Sequence, residues 1–175
     1  MEYTEAQARI IAAALELFAE HGVGGTSLQM IADEIGVTKA AVYHQFPTKD
    51  EIVVAVAQGE LARVAAVVDA AEAEPDPSSA REVLIAGIVD LAVERRRMET
   101  TLLGDPVLIR YFAHHKPFHQ VMTRLYALLD DETSGVSAVM LTAAIGGAVM
   151  HPLVADFDDE TLRAQLLGLA RRFLA

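Results

Sequence analysis

The apolar residues of this chain recur every three or four positions along most of its length, which is the spacing of amphipathic helices. The first predicted helix spans residues 4–21, and Gly22 is expected to end it, because glycine readily takes the conformation that closes a helix. Its apolar face consists of Ile10, Ala14, Leu17 and Phe18. A long helix is predicted after Pro47, from about residue 50 to 73, with Thr48 as its cap.

Two short helices are predicted between these long ones, in the stretch SLQMIADEIGVTKAAVYHQF at residues 27–46. Ser27 is a good N-cap for the first helix, and Gly36 is expected to end it. Val37 then fills the space between the two helices, and Thr38 caps the second one. The pattern therefore predicts two helices that are joined by a tight turn.

The second of these helices, residues 39–45, is predicted to direct Val42 inward, and Pro47 prevents it from continuing. The side chains left outside are Lys39, Ala40, Tyr43 and His44. Ala32 lies where the two helices would approach most closely, so a small side chain is required there. This is the spacing of a helix-turn-helix that presents its second helix to DNA, although helical hairpins in unrelated proteins use similar features.

The middle of the chain predicts three further helices. Residues 74–79 contain two prolines and form the clearest break, after which the next helix begins. The inward face of that helix is expected at Leu84, Ile88, Leu91 and Ala92. Two more helices are predicted to open at residues 105–106 and 116–117 and to end near Phe112 and Leu129.

The stretch from Val136 to Ala155 is mostly apolar, so a helix there must be buried on all sides, and Pro152 is expected to kink or end it. A last helix is predicted over residues 158–174. In a protein this small, the simplest second partner for the apolar stretch is another copy of the chain. The residues expected at that interface are Ala143, Gly146, Gly147, Met150, Leu162, Leu166, Leu169 and Phe173. Alternatively, Gly146-Gly147 accommodates an internal helix crossing.

A set of residues in the first third of the chain matches a known pattern. They are Arg9-Ile10, Ala14, Leu17-Phe18, Gly22, Thr26-Ser27, Ile31-Ala32, Gly36-Val37-Thr38, Val42-Tyr43-His44, Phe46, Lys49 and Glu51-Ile52. In this combination the chain resembles the DNA-binding domain of the TetR family of transcriptional regulators. It departs from the family pattern at Val23, at Ala40 and at Gln45. These departures leave the expected fold intact, but they do not let the DNA sequence read by the second helix be carried over.

The resemblance implies an all-α fold with two domains. Residues 1–50 would form an N-terminal three-helix DNA-binding domain with the helix-turn-helix, and the helix of residues 50–73 would act as a lever. Residues 51–175 would form a C-terminal helical ligand-binding and dimerisation domain, in which the last two long helices of each subunit pack as a four-helix bundle. The DNA-contacting residues carried over from the family are Thr26, Ser27, Lys39, Ala40, Tyr43, His44 and Lys49.

These residue types suit DNA. Hydroxyl and ammonium groups can donate hydrogen bonds to phosphates, which fixes the register of the protein on the duplex without reading bases. Lys39 could instead read guanine, and Ala40 can contact a thymine methyl group. For Tyr43 two interpretations remain open, because half of its ring could belong to the core with only the hydroxyl functional.

The net charge of −11 argues against DNA binding unless the charge is unevenly distributed. Residues 1–50 are also acidic, since they contain three basic and seven acidic side chains. Between Ile35 and Lys49, however, there is no acidic residue, and Lys39 and His44 lie in this interval. Salt screens charges beyond about 8 Å, so the charges on the contacted face, and not the net charge, determine whether DNA is attracted. We expect few phosphate contacts per subunit and a modest salt dependence.

Composition limits the other classes of protein. The chain has no cysteine, which excludes disulfides and thiolate metal sites and fits a reducing cytoplasm. Residues 1–7 are polar and acidic, so we expect no secretory signal. The longest apolar run, residues 136–150, is shorter than the roughly 18 residues of a membrane span. We expect a soluble, cytoplasmic protein without a membrane partner.

The second domain contains aromatic, sulfur and polar-tipped side chains that suit a pocket for a small apolar or amphipathic effector. The candidates are Met98, Leu102, Leu103, Phe112, Met122, Tyr126, Met140 and His151, each of which could equally belong to the core. His114, His115 and His119 raise the question of a metal site. Pro117 is expected to start a helix between them and to spoil a shared face, so we expect no metal and no cofactor.

Arg95, Arg96 and Arg97 lie at the end of a predicted helix, where they compensate its dipole; this interpretation is preferred to a nucleic-acid patch. The sequence has no glycine-rich phosphate loop, HExxH pair or GxSxG motif, so an enzyme ranks last. It predicts a homodimeric transcription regulator that binds a palindromic operator, most simply a repressor relieved by a small molecule. The alternative is a helical protein-interaction or small-molecule-binding module without DNA binding.

Overall fold

The computed structural model describes residues 3–96, 106–129 and 135–174. Within these ranges every regular element is a helix and no strand occurs. The helices are α1 (Glu5–Gly25), α2 (Leu28–Glu34), α3 (Lys39–Gln45), α4 (Lys49–Glu72), α5 (Pro77–Arg95), α6 (Pro106–Ala113), α7 (Lys116–Leu129), α8 (Val136–Val149) and α9 (Asp159–Phe173). A short 3-10 turn, Pro152–Val154, separates α8 from α9. The predicted all-α class is confirmed.

The chain divides into two compact units. The first comprises the described residues within Met1–Glu60 and Met98–His115, and the second those within Leu61–Arg97 and Lys116–Ala175. The first unit thus contains α6 and the first half of α4 in addition to the three N-terminal helices, which the sequence did not indicate. The boundary near residue 50 stays a prediction about the functional domains.

The core of the second unit is built around α5, which packs against α7, α8 and α9. The buried residues of α5 in this core are Leu84, Ile85, Val89 and Val93. The predicted inward face was therefore right for Leu84, but Ile88, Leu91 and Ala92 are only partly buried. A helix with neighbours on several sides has apolar residues all round, so its spacing alone does not identify the most buried side.

Ion pairs join the helices of the second unit at its surface. Arg163 and Arg171 on α9 pair with Asp90 and Glu82 on α5. On α7, Arg124 contacts α4 through Asp69 at 2.6 Å and Glu72 at 2.5 Å, and the guanidinium group lowers the pKa of Glu72. Because these groups are exposed, we assign them little stability.

The arginine run at the end of α5 is described in part. Arg96 Nη2 lies 2.6 Å from Asp159 Oδ1 on α9, and the Arg96 side chain is only 10% exposed. The side chain of Arg95 and all of Arg97 lie outside the described residues. For Arg96, an ion pair between helices adds to the predicted compensation of the helix dipole, and its burial argues against a nucleic-acid contact.

Gly87 lies where α5 approaches α4 closely. A Cβ atom at this position would lie 2.4 Å from Cγ1 and 2.9 Å from Cγ2 of Val67, a β-branched residue with little rotamer freedom in a helix. Overpacking costs about 1–3 kcal/mol, and the better helix propensity of alanine offsets up to about 1 kcal/mol of it. We expect Gly87→Ala to lower the free energy of unfolding in urea by about 1–2 kcal/mol.

Gly59 provides the matched control for Gly87→Ala. It is an exposed glycine within α4, and nothing lies within 4 Å of a Cβ atom built on it. Gly59→Ala is therefore expected to raise the free energy of unfolding by about 0.5–1 kcal/mol. Equal shifts in the two variants would show that the contact with Val67 does not matter.

Candidate nucleic-acid interface

The turn between α2 and α3 has the predicted geometry. Gly36 has a φ angle of +70°, in the left-handed region that residues with a Cβ atom rarely adopt. The backbone N–H of Val37 donates to the carbonyl of Ala32 at 2.9 Å, at the end of α2. The hydroxyl oxygen of Thr38 accepts from the backbone N–H of Ala41 at 3.2 Å and thereby caps α3. The predicted tight turn and its cap are confirmed.

The two helices share a small core with α1. Ile31 and Ala32 on α2 and Val42 on α3 are all 0% exposed. Ala32 therefore lies at a tightly packed position, as the sequence required. Val42 is the buried residue of α3. Because α3 is anchored by this one side, its remaining side chains are directed away from the core.

The outer face of α3 carries the four residues that the sequence identified. Lys39, Ala40, Tyr43 and His44 are all exposed. Lys39 and Tyr43 are four positions apart, as are Ala40 and His44, so the four residues share one face of the helix. The Lys39 ammonium group lies 5.6 Å from the centre of the Tyr43 ring, within the range of a cation–π contact. Tyr43 is 46% exposed, so its ring lies at the surface of the unit. DNA contacts by these four residues stay a prediction.

Ser27 and Thr26 are neighbours with different surroundings. Ser27 is exposed, and its hydroxyl oxygen accepts from the backbone N–H of Met30 at 3.2 Å, so its hydroxyl hydrogen can still be donated to a phosphate. Thr26 is only 2% exposed. Its hydroxyl lies 3.0 Å from the carbonyl oxygen of Leu17 and 2.9 Å from that of Gly22, to which it donates. The assignment of the Thr26 hydroxyl to a phosphate contact is therefore corrected.

Lys49, the first residue of α4, also differs from expectation. Its side chain is half-buried, and its Nζ atom donates to the carbonyl oxygens of Val23 at 2.9 Å and Thr26 at 3.1 Å. Carbonyl groups at the end of a helix lack partners within the helix, and the helix dipole favours a cation there. Two of the three ammonium hydrogens thus bind the end of α1, which the sequence did not reveal.

Side chains of α1 contact the ends of the other two helices in the same way. Arg9 Nη2 donates to the carbonyl oxygen of Ile35 at the end of α2, at 3.1 Å. Gln7 Nε2 lies 3.5 Å from the carbonyl oxygen of Gln45, the last residue of α3. Sequence reasoning missed both contacts, because no local pattern joins residues 26 or 38 positions apart. Within residues 3–50, Lys39 is left as the cation that is not bound to a main-chain carbonyl.

The predicted ligand residues that the structure describes belong to two different units. Met98, Leu102 and Leu103 lie outside the described residues. Phe112 is buried in the first unit, whereas Met122 and Tyr126 pack against the core of the second. Met140 is 57% exposed on α8, and His151 is an exposed cap of the 3-10 turn. A pocket formed by this set stays a prediction.

An open cleft of about 450 Å³ lies instead in the first unit. The end of α1, the first turns of α4 and one side of α6 line it, with Val53, Arg110 and Tyr111 among the side chains. Burial raises the pKa of the Tyr111 hydroxyl. Of the predicted ligand residues that the structure describes, none lines this cleft.

His114 and His115, which follow α6, and His119 on α7 are not part of a metal-holding group. The His115 ring stacks on Tyr111, with 4.8 Å between ring centres. His119 belongs to the second unit, where its ring lies 5.8 Å from that of Phe118. Across the described ranges, no group of three or more His, Asp or Glu side chains is placed to hold a metal ion.

The last two long helices expose an apolar surface. On α8, Val139 and Met140 are 47% and 57% exposed, and on α9 Leu169 and Phe173 are 53% and 48% exposed. We call these four residues the α8–α9 face. Within one chain α8 is thus not buried on all sides, which leaves room for the second copy that the sequence predicts as its partner. One side of this helix is available to a partner.

The structure sorts the predicted interface residues into two groups. Leu162 and Leu166 are 2% and 6% exposed in the core of the second unit, so their assignment to an interface is corrected. Ala143 and Gly147 are exposed, whereas Gly146 and Met150 are half-buried. Nothing lies within 4 Å of a Cβ atom built on either Gly146 or Gly147. The alternative of a close internal helix crossing at these glycines therefore has no support in the described residues.

No helix in the described parts of the chain is both long and apolar enough to cross a membrane.

Comparison with known proteins places the helix-turn-helix in a family. Residues 10–56 match the family model described as bacterial regulatory proteins, tetR family. The HTH-type transcriptional repressor AcnR of Corynebacterium diphtheriae is 34% identical over 59 residues, which are 34% of this chain and 31% of AcnR. The chain thus matches about a third of the length of that relative. The HTH-type transcriptional regulator TtgR of Pseudomonas putida is 28% identical over 99% of this chain and 82% of TtgR.

Solved structures share the whole architecture. A TetR-like transcriptional regulator from a Rhodococcus species superposes with a TM-score of 0.74 at 18% identity, covering 99% of this chain and 98% of that one. The regulator PfmR from Thermus thermophilus gives 0.71 at 23% identity, covering 94% and 97%. At these identities the likeness shows the fold. The fold is thus that of TetR-like regulators, and residues 10–56, which contain the helix-turn-helix, match the tetR family of bacterial regulatory proteins.

Proposed function

We propose that this protein is a transcription regulator that binds operator DNA through α3. The single observation that carries the proposal is the outer face of α3, where Lys39, Tyr43 and His44 are exposed while Val42 on the opposite side is fully buried. A helix of this kind can enter the major groove, where each base pair presents a distinct pattern of donors and acceptors. AcnR is named a repressor, and we propose repression for this chain as well.

The exposed groups would make different contacts with DNA. The Lys39 ammonium group can bind a phosphate or the edge of a guanine, and the Tyr43 hydroxyl can donate to a phosphate. Ala40 is small enough to admit the backbone of α3 close to the groove and to contact a thymine methyl group. The Ser27 hydroxyl at the start of α2 would add a phosphate contact.

We propose that the protein acts as a homodimer through the α8–α9 face. Four large apolar side chains that are about half exposed on two adjacent helices are typical of a surface that another protein covers. A two-fold axis lets the same face serve both subunits, and the exposed Gly147 would let the backbones approach closely. Two recognition helices held about 34–36 Å apart would enter successive major grooves of a palindromic operator.

We also propose that a small apolar or amphipathic effector relieves operator binding. The support is chemical: Met122 and Tyr126 are half-buried at the border of the second core, and such side chains are common in ligand pockets. A coupling free energy of about 1–3 kcal/mol would weaken operator binding by roughly 5- to 150-fold. The chromosome would then be the target and the cytoplasm the place of action.

The decisive experiment is the selection of bound duplexes from random or genomic DNA by the purified protein. We expect enrichment of a palindrome whose half-sites are separated by about one helical turn. If no duplex is enriched, DNA binding is wrong, and the chain is a helical interaction module instead. If single half-sites are enriched without a partner, the dimer is wrong.

The effector has its own experiment. Apolar and amphipathic small molecules that raise the melting temperature bind the folded state, and we expect some of them to release the selected operator in a gel shift. Stabilisers that never change operator binding would contradict relief by a small molecule.

A further inference from the structure

Lys49 joins two points of the chain that enclose the whole helix-turn-helix. Its Nζ atom is bonded to the carbonyl oxygen of Thr26, two residues before α2, and Lys49 itself begins α4, shortly after α3. The contact therefore brings together the two ends of the segment that contains both short helices, positions 23 residues apart in sequence. It acts as a non-covalent clip on that segment. We call it the Lys49 clip.

The end of α1, to which Lys49 binds, is itself held in place by hydrogen bonds. Gly22 has a φ angle of +73°, which interrupts the helical backbone near the end of α1. The buried Thr26 hydroxyl donates to the carbonyl oxygen of Leu17, before this interruption, and to that of Gly22 itself. Lys49 then binds the carbonyl oxygen of Val23 in addition to that of Thr26. The clip thus ties α4 to a part of α1 that is already fixed by a buried hydrogen bond.

The position of α3 depends on both of its ends. At its start the tight turn at Gly36 holds it to α2, and at its end only residues 46–48 separate it from Lys49. If the clip opened, the start of α4 would lose its bond to α1, and the end of α3 would move with it. Since base and phosphate contacts require atoms within hydrogen-bond distance, such a movement would weaken the contacts of all residues on α3 together.

We propose that Lys49 is a positioning residue for operator binding, which acts by holding the start of α4 to the end of α1 and not by neutralising a phosphate. This inference rests on the proposed function, because it concerns how α3 is presented to the operator. Two of the three ammonium hydrogens are already bonded to carbonyl oxygens, and the side chain is half-buried. Lys39, with its exposed ammonium group, is left as the lysine that meets phosphate.

The dependence of operator binding on salt separates the two roles. A lysine that contacts phosphate contributes about 0.9 to the slope of log K against log salt, hence about 1.8 for a dimer. The chain has three lysines, Lys39, Lys49 and Lys116, so the same substitution by methionine, which keeps chain length but removes charge and donors, gives a matched series. The operator is the one that the wild-type protein selects, measured by fluorescence anisotropy from about 50 to 200 mM salt.

For Lys49→Met we expect affinity to fall on the order of ten-fold, comparable to the loss of one charge-assisted hydrogen bond, with an unchanged salt slope. Lys39→Met should lower both the affinity and the slope. Lys116→Met, an exposed position at the start of α7, should change neither. A reduced slope for Lys49→Met, or an unchanged affinity, would overturn the proposal.

A second measurement uses the wild-type protein and does not depend on the folding of a variant. Amine-reactive labelling followed by mass spectrometry reports each of the three lysines separately. We expect Lys49 to react slowly with or without the operator, and Lys39 to react fast in the free protein and slowly in the complex. Fast labelling of Lys49 that the operator suppresses would overturn the proposal. If no operator is selected, the proposed function fails, while slow labelling of Lys49 in the free protein still reports the clip.

Discussion

Gly147→Glu is expected to convert the protein to monomers in sedimentation experiments and to weaken operator binding by roughly 10²–10⁴-fold. The residue is exposed on α8, and nothing lies within 4 Å of a Cβ atom built on it, so the single chain can accommodate the new side chain. Across a two-fold axis, however, the substitution would place two like charges in an apolar interface. Loss of the second subunit removes the gain in affinity that comes from binding two half-sites at once.

Gly59→Glu provides the control for the dimer. Gly59 is also an exposed helical glycine with open space around it, but it belongs to the first unit, whereas the α8–α9 face belongs to the second. This variant should remain a dimer and retain operator binding. An intact Gly147→Glu dimer with unchanged operator affinity would refute the interface on α8 and α9.

The double substitution Lys39→Ala with Tyr43→Phe is expected to abolish operator retention in a gel shift. The two side chains lie together on the outer face of α3. If each of the two contacts contributes about 1 kcal/mol in each of two subunits, the loss of about 4 kcal/mol corresponds to roughly 10³-fold. Both residues are exposed, so the helical content measured by circular dichroism should not change.

Lys116→Ala is the matching control for loss of a positive charge, since Lys116 is exposed at the start of α7 in the second unit. It should bind the operator like the wild-type protein. Retention of the operator by the Lys39→Ala and Tyr43→Phe double variant would show that α3 does not read this DNA, even if the protein binds it by another surface.

The sequence predicted the helix-turn-helix with the correct helix bounds and the correct outer face. The reason is that its determinants are local. Thr38 caps a backbone N–H three positions away, and the positive φ angle of Gly36 is a property of the residue itself. Val42 marks the inner side of α3 because the helical repeat fixes which neighbours share its face.

Some residues of the predicted DNA-binding set differ from expectation, because their partners are distant in sequence. Thr26 and Ser27 are adjacent hydroxyl residues before α2, and nothing in the sequence separates their roles. The structure buries the first against a carbonyl nine residues earlier in the chain and leaves the second exposed. Lys49 was assigned to a phosphate contact from the family resemblance. Its bond to Val23 cannot be predicted from a local pattern, because the two residues are 26 positions apart.

The last helix shows the same limit. Leu162, Leu166, Leu169 and Phe173 all fit one helical repeat, so the sequence assigned them to a single interface. In the structure α9 packs against both α5 and α8, which bury Leu162 and Leu166 and leave Leu169 and Phe173 exposed. An apolar stripe indicates that its residues are buried, but not whether their own chain or a second copy covers them.

The sequence by itself thus determined the helices of the N-terminal unit, the turn at Gly36 and the outward face of α3, since caps, glycine conformations and the helical repeat act within a few residues. Tertiary structure alone decided that Thr26 is buried, that Lys49 binds the end of α1 and which side of α9 is exposed. The physical reason is that a hydrogen bond or an apolar contact between distant residues exists only once the helices have packed.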